Sequence, residues 1–382
     1  MKRICMILAL VIAASLLPLQ AGAVELEVNG KSALLMDVQT GTVLYEHNPH
    51  ERLSPASVTK IMTMLLIMEA VDEGKITLED MVTASEAAAA KGGSQIYLKV
   101  GETMSVSDML KSIAVSSAND CACAMAEHIA GSEAAFVDRM NSRAQELGMN
   151  DTHFVNCTGL DDSPEAENHK TSAQDIAIMS RQLLKYHPKI RDFTTIWMDT
   201  VRNGAFGLSN TNKMIRFYSG ATGLKTGFTS GAGYCLSATA KRDGLELIAV
   251  VMGCESSQLR TAACKSMLDY GFANFAYVEP DLTEESTLVS VKLGKETAVA
   301  AQLGGDTGLL IGKEKKNTVT TEVTLAESVT APVEKGQKLG FLTVRSGEEI
   351  LAEVPLVAGE AVERLSWGDL FIKYLKQAAM AK

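Results

Sequence analysis

The chain has few prolines, 8 in 382 residues, few aromatic side chains, 5%, and a shortage of positive charge, with 36 Lys+Arg against 46 Asp+Glu. At 46% hydrophobic content it is not a disordered chain, and its length can bury a substantial core and divide into two domains. A formal charge of −10 argues against a nucleic-acid binder, which needs a basic face to neutralise phosphates. The N-terminal apolar run, Ile4 to Leu17 broken only by Ser15, is too short to be a spanning helix, which needs about 20 residues.

That run instead reads as an export signal. Lys2 and Arg3 precede it, Pro18 ends it, and Ala21-Gly22-Ala23 supplies small residues for cleavage before Val24. Of the seven cysteines, Cys5 falls in this leader, leaving Cys121, Cys123, Cys157, Cys235, Cys254 and Cys264. An even number permits disulfides in an exported chain. A core this apolar does not need them, and Cys121 and Cys123, two apart on a helical stretch, point to opposite sides. Small buried thiols are the reading we adopt.

Periodicity divides the rest of the chain. Ser32 to His47 reads as a hairpin turning at Gln39-Thr40-Gly41, and a long helix starts near Ser57, with an apolar stripe of Ile61, Met64, Leu65, Met68 and Ala70. Helical patterns run to about Lys185, followed by a hairpin from Gly233 to Met252 and a helix from Leu259 to about Phe275. Strands at both ends with helices between predict one α/β unit whose sheet pairs N- and C-terminal segments. After Glu279-Pro280-Asp281, β-branched runs at 288–293, 318–325 and 339–344 predict a small all-β domain. In the tail, Trp367, Leu370, Phe371, Tyr374, Leu375 and Ala378 share one helical face beside Lys373, Lys376 and Lys382. That pattern fits a helix docked on the β domain, or an amphipathic anchor on a membrane surface, which we favour. The expected divisions are 1–23, 24–277, 278–364 and 365–382.

The familiar hydrolase and nucleotide signatures are absent: no Gly-x-Ser-x-Gly, His-Glu-x-x-His, P-loop or Gly-x-Gly-x-x-Gly. The histidines have no ligand or triad setting, and we read them as surface or structural residues. What is present, once each and in order, is Ser57-Val58-Thr59-Lys60, Ser117-Ala118-Asn119 and Lys225-Thr226-Gly227. Taken singly, Ser57 and Ser117 read as helix caps and Lys225-Thr226-Gly227 as a turn. Taken together they make a nucleophile site. Lys60 lies one helical turn from Ser57 and can take its proton if its amine is neutral, which burial and a second cation, Lys225, would favour. Ser117 can relay a proton to a leaving nitrogen, and the Asn119 amide can hold the Lys60 amine and a substrate backbone. Lys225 and Thr226 suit a carboxylate, Gly227 permits close backbone approach, and the Ser57 and Phe228 N–H groups can face an oxyanion.

These three motifs resemble the signature of the serine penicillin-recognising enzymes. More closely, Leu53 to Thr63, Ser117 to Asp120, Phe154 to Leu160 and Lys225 to Tyr234 are similar to the low-molecular-mass D-alanyl-D-alanine carboxypeptidases, as is the layout of the β domain and terminal helix. The resemblance implies a β-lactamase/transpeptidase-like α/β domain with an antiparallel sheet, a small all-β domain and a C-terminal amphipathic helix. It implies that Ser57 is acylated with Lys60 as base, that Ser117 and Asn119 form the second element, and that Lys225 and Thr226 hold the substrate carboxylate. The family also has an arginine soon after this hairpin, matched by spacing at Arg260. Peptidoglycan stem peptides would be the substrate and β-lactam antibiotics covalent inhibitors, at the outer face of the cytoplasmic membrane, with no metal or organic cofactor. Ala118, where the class A β-lactamase pattern has Asp, and the missing Glu-x-x-Leu-Asn loop argue against that rival. The same acyl-serine chemistry also serves endopeptidases and transpeptidases, and a silent peptidoglycan-binding protein is the non-catalytic alternative.

Overall fold

The computed structural model describes residues 26, 28–280, 282, 287–305 and 307–372. The leader, residues 1–23, and Lys373, Tyr374, Leu375, Lys376, Ala378 and Lys382 lie outside these. Strands β1 (Ser32–Asp37) and β2 (Val43–His47) form the first hairpin. The helices α1 (Lys60–Asp72), α2 (Val106–Ser116), α3 (Asn119–Ala130), α4 (Glu133–Glu146) and α5 (Ala173–Tyr186) follow. The chain returns to the sheet through β3 (Ala221–Thr229), β4 (Gly233–Arg242) and β5 (Leu245–Cys254), then ends this unit with α6 (Ser257–Asn274).

The sheet order is β2-β1-β5-β4-β3, antiparallel throughout, so the N-terminal hairpin pairs with the last strand as the sequence predicts. Alternation along the strands feeds two cores. Leu34, Met36, Ile248 and Val250 face the helical cluster, while Ala33, Leu35, Leu247 and Ala249 face α6. A sheet covered on both faces explains why β1 and β5 read as continuous apolar runs. The helix α1 differs from its expected striped form: Ile61, Met62, Met64, Leu65, Ile67 and Met68 are all fully buried. A helix apolar on every side belongs at the centre of a core, and α1 is surrounded by α2, α3, α5 and β3.

The C-terminal unit contains β6 (Phe275–Val278), β7 (Leu288–Lys292), β8 (Ala298–Leu303), β9 (Leu309–Gly312), β10 (Val319–Leu325), β11 (Ser328–Thr330), β12 (Lys338–Ser346) and β13 (Glu349–Ala358). Six of them form a sheet ordered β10-β12-β13-β8-β7-β11 over its own core, with Leu342 and Leu356 fully buried. The two units join where β6, which directly follows α6, pairs with β9, and where Lys313 Nζ donates to the Phe272 carbonyl at 2.6 Å. Residues 367–372 are helical, and no helix among the described residues is long and apolar enough to cross a membrane.

Candidate active site

Ser57 sits in a 3₁₀ turn, Ala56–Thr59, that runs directly into α1. It is not a helix cap; the cap position is Pro55, and the Ser57 hydroxyl instead meets Lys60 Nζ at 2.9 Å. Three residues of separation bring the side chains together, as the spacing predicts. The turn is held from outside. Ala56 adopts a φ of +48°, and its carbonyl accepts from Thr59 Oγ1 at 2.8 Å. Thr59 Oγ1 in turn meets His169 Nε2 at 2.8 Å, and His169 Nδ1 accepts the Val155 N–H at 3.1 Å. With Thr59 donating to Ala56, His169 must donate from Nε2, so the ring is the neutral Nε2–H tautomer. Burial, and then the nearby charges of His153, Lys170 and Lys60, push its pKa down to about 3.

Lys60 is fully buried and also donates to the Thr158 carbonyl at 2.7 Å. Loss of water drives its pKa down to about 7, only partly opposed by Cys157 and Asp120. Asn156 fixes that carbonyl by accepting the N–H groups of Thr158 and Gly159 at 3.1 and 2.7 Å. Gly159, at φ +80°, passes so close to the Ser57 turn that a Cβ would lie 1.8 Å from the Ala56 oxygen.

Lys225 is equally buried, and its pKa is pushed well below the ordinary lysine value by burial, then by Lys60 and Arg260. The Lys225-Thr226-Gly227 segment lies in the middle of β3, on the free edge of the sheet, rather than in a turn or at a strand start. A Cβ on Gly227 would come 2.5 Å from the Pro55 carbonyl and 3.1 Å from the Val58 nitrogen, so the missing side chain lets the Ser57 turn pack on the strand. Thr226 Oγ1 donates to Thr211 Oγ1 at 2.7 Å, and Phe228 is exposed, with its ring 4.3 Å from that of Tyr234.

Ser117 is the left-handed C-cap of α2, at φ +63°, rather than the start of a helix, and Asn119 opens α3. The Ser117 hydroxyl and the Asn119 Oδ1 are buried without a hydrogen-bond partner in the described structure. Asn119 Nδ2 donates to the Gly92 carbonyl at 2.8 Å, so the amide is anchored through nitrogen and presents its oxygen. Arg260, in the first turns of α6, donates from Nη1 to the Gly227 and Cys235 carbonyls at 3.1 and 3.3 Å, while its buried Nε has no partner. The six cysteines are all buried and free, and no three metal-ligating side chains cluster among the described residues. Sequence reading missed Thr59, Asn156, Thr158, Gly159 and His169. The stretch Phe154 to Leu160 was the available signal, because a conformation-specific Asn and Gly stand together there.

The arrangement can therefore bring a partly deprotonated amine to a hydroxyl, with Lys225 a second buried cation close enough to Lys60 for the two to repel. A profile described as D-alanyl-D-alanine carboxypeptidase matches residues 19–256, and one for the C-terminal domain of penicillin-binding protein 5 matches residues 282–364. The D-alanyl-D-alanine carboxypeptidase DacF of Bacillus subtilis is 45% identical over 92% of this chain and 90% of its own length. The structure of penicillin binding protein 5 from Haemophilus influenzae matches at a TM-score of 0.71 and 31% identity, over 88% of this chain and 98% of that one. Penicillin-Binding Protein D2 from Listeria monocytogenes, in its ampicillin-bound form, matches at a TM-score of 0.59 and 30% identity over 65% of this chain and 99% of its own. With motifs, geometry and comparisons in agreement, this chain belongs to the D-alanyl-D-alanine carboxypeptidase family of penicillin-binding proteins.

Proposed function

We propose that this protein removes the terminal D-alanine of peptidoglycan stem peptides through an acyl-enzyme on Ser57, and that β-lactams are trapped at the same residue. The single observation that carries the reading is the 2.9 Å contact between Ser57 Oγ and a lysine whose pKa has fallen to about 7. In acylation, Ser57 Oγ bonds to the carbonyl carbon of the penultimate D-residue, and the peptide C–N bond breaks. The Ser57 proton passes to Lys60 and, by way of Ser117, to the departing nitrogen, which leaves as the free amine of D-alanine. Water then attacks the ester and regenerates Ser57. The Ser57 and Phe228 N–H groups stabilise the oxyanion, Asn119 holds the peptide backbone, and Lys225, Thr226 and Arg260 receive the terminal carboxylate, with Gly227 giving the strand its clearance.

The same reading places the enzyme outside the cytoplasmic membrane, with the C-terminal helix lying on the membrane surface. Support comes from Trp367 at 89%, Phe371 at 67% and Ile372 at 53% exposure, an apolar face turned to solvent.

Incubation with a fluorescent penicillin, followed by peptide mapping, tests the nucleophile. One label on Ser57, none on a folded Ser57→Ala variant, and D-alanine release from a pentapeptide are expected. A folded wild-type protein that neither labels nor releases D-alanine would refute the assignment.

A further inference from the structure

Thr226 and Arg260 also line a half-open cavity of about 470 Å³ between the segment around Met214 and the first turns of α6. Its walls combine the apolar Met214, Phe217 and Leu236 with three cations, Lys213, Arg260 and Lys265, and no acidic side chain. In a chain with ten more acids than bases, that is a local reversal of sign. Lys213 and Lys265 are exposed and make no ion pair among the described residues. The nearby carboxylate of Asp269 is engaged by Tyr218 Oη at 2.8 Å and by Arg242 at 3.8 Å. Arg260 is only 9% exposed, and its Nε is unsatisfied. A volume of this size is typical of pockets that take drug-sized ligands and far exceeds a methyl side chain.

The reaction proposed above determines which part of a substrate reaches this space. The acyl portion stays on Ser57, and the residue that departs with the nitrogen has its α-carboxylate on Thr226 and Arg260, so its side chain is the group beside the cavity. We infer that the cavity is a leaving-group pocket that accepts terminal D-residues with a chain of several carbons, and favours those whose chain ends in an anion. The bond broken is unchanged, as is the course of the proton; only the released amino acid differs. This inference rests on the carboxypeptidase reading.

The test uses the full mature protein and acyl-D-Ala-D-Xaa peptides in which Xaa is alanine, norleucine, 2-aminoadipate or lysine, with release of each amino acid read as kcat/KM. Norleucine and aminoadipate should be released at rates comparable to alanine, and aminoadipate should exceed lysine roughly tenfold, the size expected for two exposed ion pairs. In a Lys213→Ala/Lys265→Ala variant the aminoadipate-to-lysine ratio should approach one, while the norleucine-to-alanine ratio is retained. Release confined to alanine would overturn the pocket, and a charge preference surviving in the variant would overturn the role of the lysines. Failure to release even alanine would strike the carboxypeptidase reading itself, a distinct result.

Discussion

Lys60 is surrounded by packing rather than by water, and its two hydrogen bonds go to the groups the chemistry needs, Ser57 Oγ and the Thr158 carbonyl. Below about pH 7 the side chain is an ammonium and cannot take the Ser57 proton; above it, the amine is free to do so. The acylation rate with penicillin should therefore climb with pH along a limb centred near 7. Lys60→Arg, whose guanidinium does not deprotonate, should lose roughly 10²- to 10⁴-fold in acylation. Stopped-flow labelling across pH 5 to 9 reads both, and a flat profile would count against Lys60 as base. His169 sets a second pH dependence, on stability. Its folded pKa of about 3 lies below the ordinary value of 6.5, so unfolded chains bind a proton that the native state does not. Its contribution is complete above about pH 6.5 and is lost as the pH falls toward 3, by up to about 1.4 kcal/mol per pH unit. Urea unfolding of wild type and His169→Gln at pH 7 and pH 4.5 should show the variant less stable at pH 7 but losing less on acidification.

At the scale of elements, the loop at 93–98, which lies before α2 in the chain, is fastened by the first residues of α3. Asp120 accepts the Ile96 N–H at 3.1 Å and the Leu98 N–H at 3.0 Å, while the Asn119 N–H donates to the Ser94 carbonyl at 2.7 Å. Gly93 sits at φ +72°, and a Cβ there would lie 2.8 Å from Asn119 Nδ2. The loop is thus part of the support for Asn119. Asp120→Ala leaves two buried N–H groups unpaired and should cost roughly 2–6 kcal/mol, seen as a lower midpoint in thermal or urea unfolding, with slower acylation by penicillin in the folded fraction. Retention of wild-type stability would show that the loop has another anchor.

Across the whole molecule, the groups assigned to the chemistry run from Ser57 to Arg260, before the β6–β9 pairing that attaches the second unit. The likeness to Penicillin-Binding Protein D2, which spans 65% of this chain and nearly all of its own, fits a catalytic unit that is structurally self-contained. Deleting residues 365–382 should therefore leave the penicillin labelling rate within about twofold while abolishing co-sedimentation with anionic lipid vesicles. Equal sedimentation of the truncated and full-length proteins would remove the basis for a surface anchor.

The amino-acid order alone was enough for features created over a few residues. The Ser57–Lys60 spacing, the β1–β2 and β4–β5 hairpins and the small thiols on α3 all follow from local turn chemistry and periodicity. Even there, β13 escaped sequence reading because Pro355 interrupts its pattern, although that residue pairs with Phe341 in the sheet. Only the tertiary structure could decide the electrostatics. Lys60 loses its proton near neutrality because the core that encloses it, closed in part by a segment 98 positions away at Thr158, takes the place of water around it. The tautomer of His169, the approach of Lys225 and the cation-lined cavity likewise depend on chain segments that meet only through packing. Burial and field are sums over neighbours in space, and a linear pattern does not carry those sums.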